Sequence, residues 1–155
     1  EKGDSVMIAT AGGQSIRFKE GDVREMGRTA GGVRGIKLGR NDTVVGVDVV
    51  RKENKDGTFL TMSEHGLGKK TALKEYKIQK RGGSGIKTMK ITAKTGKLIV
   101  AKVLGDKEEE LIAMSKKGQV IRTALEDIST LGRQTQGVSI MRLRDGDGIA
   151  SLTCL

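Results

Sequence analysis

Val6-Met7-Ile8-Ala9-Thr10-Ala11-Gly12-Gly13, Phe59-Leu60-Thr61-Met62-Ser63-Glu64-His65-Gly66 and Leu111-Ile112-Ala113-Met114-Ser115-Lys116-Lys117-Gly118 are three versions of one pattern, a mostly apolar run that ends in a glycine turn. Each run has the length of a strand, and turn residues follow it. Setting Gly13, Gly66 and Gly118 in register also aligns Gly32, Gly85 and Gly137, nineteen residues further on each time, so the chain repeats with a period of 53 and then 52 residues. The rest of each repeat keeps that register. A cation stands four residues past the first glycine (Arg17, Lys70, Arg122), and an acidic residue directly precedes a large apolar one in Asp22-Val23, Glu75-Tyr76 and Asp127-Ile128. The shared slot predicts Val23, Tyr76 and Ile128 in the core.

Past the second glycine the pattern alternates. Ile36 with Leu38, Met89 with Ile91 and Met141 with Leu143 flank Lys37, Lys90 and Arg142, which predicts a half-buried strand with its cation on the wet face. Turn residues follow, and each repeat closes on a mostly apolar strand over 44–50, 98–104 and 149–155. That makes about four strands per repeat. Twenty-three glycines and no proline suit many tight turns, no segment carries a sustained helical apolar face, and 72–76 and 124–128 have room for one helical turn only. The expected fold is all-β, with propeller-like blades of about four antiparallel strands and three repeats, about 1–53, 54–104 and 105–155, forming an open arc. Each unit needs a neighbour to cover its apolar faces, so the end blades are expected to be less well covered than the middle one.

Composition narrows the chemistry. One cysteine, Cys154, excludes an intrachain disulfide framework, and one histidine, His65, leaves almost nothing for a zinc site or an imidazole-based active site. No segment approaches the roughly 18 apolar residues that span a bilayer, and the amino terminus does not read as a signal peptide, so the expectation is a cytoplasmic protein with no membrane partner. A formal charge of +10 points to a polyanionic partner. The charge is uneven. Residues 1–53 hold ten Lys+Arg against eight Asp+Glu, residues 54–104 twelve against three, and residues 105–155 seven against eight. The middle repeat is therefore the electrostatic centre, with Lys69, Lys70, Lys80, Arg81, Lys87 and Lys90. Stacked repeats align equivalent positions, so Arg17, Lys70 and Arg122 are expected in one row and Lys37, Lys90 and Arg142 in another. With aromatic content of 2% there are no platforms for stacking unpaired bases, which favours double-stranded DNA held through its phosphates.

In the middle repeat Gln79-Lys80-Arg81-Gly82-Gly83-Ser84-Gly85 places cations beside glycines whose amides can line an anion. It lacks the lysine of a nucleotide-binding P-loop and opens no helix, which excludes an ATP site. This heptad resembles the gyrase A box, Gln-Arg-Arg-Gly-Gly-Arg-Gly or a close variant, of the DNA gyrase A carboxy-terminal domain. Arg17-Phe18-Lys19-Glu20, the stretch from Val23 through Arg24 to Thr29, Gly32-Val33-Arg34-Gly35-Ile36 and Gly132-Arg133-Gln134-Thr135-Gln136-Gly137-Val138 are similar to its blades. The resemblance implies a β-pinwheel, most like its last three blades, that wraps double-stranded DNA without doing chemistry itself. It further implies the remainder of the gyrase A polypeptide and the gyrase B polypeptide as partners, a bacterial, nucleoid-associated setting, and no cofactor in this part, since ATP and magnesium belong to the full enzyme.

The departures are Lys80 for arginine, Ser84 for a basic residue, and a full repeat ahead of the heptad. Two readings stand, the functional box or its echo in a late blade. The flanking repeats keep the arginine, Arg28 or Arg133, and each such arginine follows an acidic residue by six positions (Asp22, Glu75, Asp127), so phosphate contact and a loop-holding salt bridge are both open for it. The candidate contact set is Arg17, Arg28, Lys37, Lys69, Lys70, Gln79, Lys80, Arg81, Gly82, Gly83, Gly85, Lys87, Lys90, Arg122, Arg133 and Arg142. The alternatives to a gyrase module are the corresponding domain of the topoisomerase IV C polypeptide, steering substrate choice, and a propeller-like scaffold for an acidic protein partner.

Overall fold

The apolar runs become the central strands of three sheets in a computed structural model that describes residues 2–23 and 25–155. Arg24, part of the resemblance above, lies outside the described residues. The strands are β1 (Ser5–Thr10), β2 (Gln14–Lys19), β3 (Val44–Val50), β4 (Thr58–Ser63), β5 (Leu67–Ala72), β6 (Ile86–Lys87), β7 (Leu98–Leu104), β8 (Glu110–Ser115), β9 (Val120–Ala124), β10 (Val138–Ser139) and β11 (Ile149–Cys154). The hairpins β1–β2, β4–β5 and β8–β9 share one turn. The amides of Gly13, Gly66 and Gly118 donate to the carbonyls of Thr10, Ser63 and Ser115, each at 3.0 Å, and the three φ angles of +83°, +87° and +87° are left-handed, where a side chain is strained. One three-residue 3₁₀ turn follows each hairpin, at Glu20–Asp22, Leu73–Glu75 and Leu125–Asp127.

The sheets are ordered β3-β1-β2-β6, β10-β5-β4-β7 and β11-β8-β9. The fourth strand of the first sheet therefore belongs to the second repeat, and that of the second sheet to the third repeat. Ile86 and Lys87 pair with Ser15 and Gln14, and Val138 and Ser139 with Gly68 and Leu67. This exchange was not visible in the alternation, because a strand alternates in the same way whichever sheet it joins. The exchanged strands are also shorter than the alternation predicts, and among the described residues the first repeat forms none. After two residues the amides of Thr88 and Met89 both turn onto the carbonyl of Gly13, as those of Ile140 and Met141 turn onto Gly66. The chain then leaves the sheet edge to bury Met89 and Met141 between sheets. Leu38 stays exposed, against the alternation, while Ile36 is buried.

Two apolar layers join the three sheets. Met7, Ala9 and Val50 of the first sheet meet Phe59, Leu73, Tyr76, Met89 and Val103 of the second repeat. Leu60, Met62 and Leu104 meet Leu111, Leu125, Ile128, Met141 and Ile149 in the same way. Fully burying a side chain of this size contributes about 1.5–3 kcal/mol, so each layer outweighs any surface ion pair. Tyr76 and Ile128 are buried as the repeat predicts, but Val23 is 44% exposed. Tyr76 and Ile128 are covered by the preceding sheet, and no sheet among the described residues lies against Val23 in the same way. The far face of the third sheet is likewise open at Met114 and Leu155. No helix among the described residues is long and apolar enough to cross a membrane.

Candidate nucleic-acid interface

Each seam between repeats is built around the loop that precedes the exchanged strand. At the first seam the amide of Gln79 donates to the carbonyl of Arg17 (2.7 Å), that of Gly82 to Gly35 (2.7 Å), and that of Lys37 to Gly83 (2.8 Å). Gly82 (φ +85°) and Gly85 (φ +78°) are left-handed, and a Cβ on Gly85 would lie 2.2 Å from the carbonyl oxygen of Ser15, so the glycine permits the edge pairing that follows. At the second seam the amide of Leu131 donates to the carbonyl of Lys70 (2.8 Å) and that of Lys90 to Thr135 (3.0 Å), which repeats the first.

Five of the sequence-predicted contact residues are drawn into these seams or paired. Lys69 is fully buried, and its Nζ donates to the carbonyls of Gly132 (2.6 Å), Arg133 (2.8 Å) and Thr135 (3.0 Å) and to Thr135 Oγ1 (3.0 Å). Burial pulls its pKa down to about 8, with Glu75 raising and Arg133 lowering it. Lys69 is therefore a structural cation, and its expected phosphate contact is replaced by three carbonyls. The signal was present in the sequence, since the same slot holds Ile16 and Ile121 in the other repeats.

Arg17 is half-buried, with Nε on Ser5 Oγ (2.9 Å) and an Nη on the carbonyls of Leu73 (3.0 Å) and Tyr76 (3.3 Å), and burial lowers its pKa. Arg81 donates to the carbonyls of Asp22 (3.1 Å) and Arg34 (2.9 Å), and Arg133 to that of Lys87 (2.8 Å). Among the described residues no ion pair links Arg81 to Glu75 or Arg133 to Asp127. The recurring arginine does hold its loop, but through backbone carbonyls of the preceding repeat rather than through the acidic residue six positions earlier. Arg122 pairs with Glu110, its Nε 2.9 Å from Oε2, which raises its pKa. The expected row of Arg17, Lys70 and Arg122 thus consists of a seam residue, a half-buried lysine and a paired arginine.

The members of the other expected row are exposed. Lys37, Lys90 and Arg142 are exposed at the same place in three successive repeats, with Arg28, Lys80 and Lys87 also exposed. Gln79 and Gly82 are half-buried and Gly83 exposed, so the heptad offers backbone and Lys80 to solvent while Arg81 is tied back. Arg34 and Lys77, absent from the candidate set, are exposed beside this loop. No group of three or more metal-ligating side chains occurs among the described residues. A cavity of about 610 Å³, lined by Lys2, Asp4, Arg17, Glu20 and Ile78 among others, lies at the first seam, and none of Lys37, Lys90 and Arg142 lines it.

These features define a class: propeller-type repeats laced by an exchanged edge strand, with glycine-rich seams and a cationic outer row. The family model for the DNA gyrase C-terminal domain, a β-propeller, matches residues 4–51, 58–104 and 109–155, and the chain belongs to that family. The DNA gyrase A protein of Haloquadratum walsbyi is 43% identical over 147 residues, covering 95% of this chain and 17% of the relative. The chain thus spans about a sixth of the curated relatives it matches. Among solved structures, a DNA gyrase A C-terminal domain superposes with a TM-score of 0.87 at 27% identity over 99% of this chain and 51% of its own. The C-terminal domain of a DNA topoisomerase IV gives 0.88 at 20% identity over 98% and 46%, a likeness of fold alone.

Proposed function

We propose that this chain is a non-catalytic module that binds and bends double-stranded DNA along its exposed cationic row, as part of a bacterial gyrase A protein. The observation that carries the reading is the recurrence of Lys37, Lys90 and Arg142 as exposed cations at one position of three successive units. A duplex offers phosphates at regular intervals, and a repeated cation on stacked units meets them without reading bases. Lys80, Lys87, Lys70 and the amides around Gly83 extend the contact in the middle repeat, and Arg28 extends it in the first. The remainder of the gyrase A polypeptide and the gyrase B polypeptide are the partners, the setting is the bacterial cytoplasm, and ATP and magnesium act elsewhere in the full enzyme.

The test is a salt series of duplex titrations with Lys37, Lys90 and Arg142 changed together to Gln. Each neutralised phosphate contributes about −0.9 to the slope of log K against log salt, so the triple variant should lose roughly 2–3 units of slope on every duplex sequence. An unchanged slope, or a loss on one sequence only, rejects the row as the contact.

A further inference from the structure

Three Asp-Gly pairs occur in the chain, Asp56-Gly57, Asp145-Gly146 and Asp147-Gly148. Glycine has no Cβ, so its amide nitrogen can close onto the preceding aspartate side chain, provided that the amide is free and the carboxyl unpaired. The fold treats the three pairs differently. The amide of Gly57 donates to the carbonyl of Asn54 (3.0 Å), and the carbonyl of Gly57 takes the amide of Leu73 (3.0 Å). The amide of Gly148 is buried and donates to Asp147 Oδ1 (2.8 Å), which also takes the amide of Lys117 (3.0 Å). That bond aims the N–H hydrogen at the oxygen rather than the nitrogen at Cγ. A hydrogen bond from the Ser115 hydroxyl, with those two amides, holds the Asp147 carboxyl below its ordinary range, so it stays charged and a poor electrophile.

Asp145 and Gly146 are exposed. Their turn is closed by the amide of Asp147 on the carbonyl of Arg144 (3.0 Å), with Gly146 left-handed at φ +77°. Among the described residues the amide of Gly146 donates to no acceptor and the Asp145 carboxyl has no partner. The nearest atom to a Cβ built on Gly146 is Lys117 Nζ, at 3.4 Å, which leaves room for a ring. Lys117 Nζ also donates to the carbonyl of Asp145 (3.3 Å) and so polarises the peptide group whose N–H must be lost. The exposure is a property of the turn itself. Gly39 to Asp42 form the same turn, with the amide of Asp42 on the carbonyl of Gly39 (3.2 Å) and Asn41 at φ +61°, and Arg40 and Asn41 are exposed although a full repeat follows them.

We propose that Asp145 is a site of spontaneous isoaspartate formation, a slow covalent change that the fold confines to this turn. The nitrogen of Gly146 gives up its proton and attacks Cγ of the protonated Asp145 carboxyl. The N–Cγ bond forms, the Cγ–OH bond breaks, and the hydroxyl leaves with that proton as water. Water then opens the succinimide, and opening at the backbone carbonyl of Asp145, the one Lys117 polarises, leaves the chain running through Cβ and Cγ. Mass and formal charge are unchanged, but the main chain is one methylene longer. The lengthened turn no longer sets the amide of Asp147 on the carbonyl of Arg144. Asp147 holds the amide of Lys117, the carbonyl of Gly148 takes the amide of Lys116, and the amide of Ile149 reaches the carbonyl of Glu64, so the change acts on the β8–β9 hairpin and on the second seam. The inference does not depend on DNA binding.

Ageing the full, folded chain at about pH 5, where a fraction of exposed carboxyls carries a proton, tests it. Peptide mapping, with fragmentation that assigns isoaspartate to its residue, should find it at Asp145 at least about fivefold faster than at Asp56 or Asp147, which react only through local opening. In concentrated urea the protection is gone, and the three rates should come within about twofold of one another. Lys117→Met should slow the reaction in the folded chain by about two- to tenfold, the size of one hydrogen bond, and leave the rate in urea unchanged. Equal rates at the three aspartates in the folded chain overturn the proposal, as does isoaspartate that appears in urea but not at Asp145 of the folded chain. A folded-chain rate unmoved by Lys117→Met overturns the part given to Lys117.

Discussion

Replacing Lys69 by Met sets two terms of similar size against each other, and pH separates them. The ammonium has no exposure to water, and its pKa falls from 10.5 to about 8. At about 1.4 kcal/mol per unit, keeping it charged at pH 7 costs the folded protein about 3 kcal/mol relative to the unfolded chain, where the ammonium is fully hydrated. Against this, Lys69 serves three carbonyls. Thr135 also receives the amide of Lys90 and Gly132 receives Thr135 Oγ1, so only the carbonyl of Arg133 loses its one described partner in Lys69→Met. An orphaned buried carbonyl costs about 1–3 kcal/mol, so the variant should be near neutral at pH 7. The sign then changes with pH. The folded pKa lies below the unfolded one, so between about 8 and 10.4 the unfolded chain binds the extra proton, and the wild type gains stability as pH rises through that window. The variant has no such gain. Urea unfolding at pH 7, 8, 9 and 10 should show Lys69→Met falling behind by about 2–3 kcal/mol at the alkaline end. A constant difference from pH 7 to 10 refutes the reasoning, because it means the carbonyl cradle holds the proton against burial.

Gly85→Ala should destabilise by more than about 2 kcal/mol, since its Cβ meets the backbone of Ser15 as well as a left-handed φ, whereas Gly32→Ala carries only the conformational term of about 1 kcal/mol; paired thermal midpoints check the difference. Arg81→Ala loses two bonds to the preceding repeat and should lower the urea midpoint without DNA by more than Arg133→Ala, for which one such bond is present. Asp4 accepts from the amide of Lys52 and from Arg51, which hold its pKa near 2, below the usual 3.8. The stability it contributes is complete above the unfolded value and is lost as pH falls through about 2, so acid titration of Asp4→Asn should lack that loss between pH 4 and 2.

What the sequence made legible was local. A left-handed glycine, an apolar run of strand length and a 3₁₀ turn depend on a few neighbouring residues, so Gly13, Gly66 and Gly118 mark the same turn in every repeat. What it hid depends on which repeat lies next door. Val23 and Tyr76 occupy one slot, yet among the described residues a sheet packs in front of Tyr76 and none in front of Val23. Arg17 and Arg122 occupy another, yet one donates into the next repeat and the other pairs with Glu110 of its own hairpin. The candidate site was half legible for the same reason. Periodicity placed Lys37, Lys90 and Arg142 on a wet face, but charge counting could not separate a cation facing solvent from Lys69, which faces carbonyls.

The seams and the exposed cations share hydrogen-bonded backbone, and this bears on the proposed bending of a duplex. The carbonyl of Thr135 accepts from both Lys69 Nζ and the amide of Lys90, and the carbonyl of Gly83 accepts from the amide of Lys37 at the other seam. The spacing between successive exposed cations is therefore set by the same hydrogen bonds that fix one repeat against the next. A duplex lying across the row would bind only the arrangement with the seams closed, and a ligand that binds the folded arrangement alone stabilises it in proportion to its occupancy. DNA should therefore raise the unfolding midpoint of this chain, and should do so less for Arg81→Ala, whose loss falls on the seam, than the loss of one surface charge accounts for. The comparison with Lys80→Ala, an exposed cation in the same loop with no hydrogen bond to the preceding repeat among the described residues, isolates the seam's share. Equal DNA-induced shifts for the two variants would mean that the row binds without help from the seams.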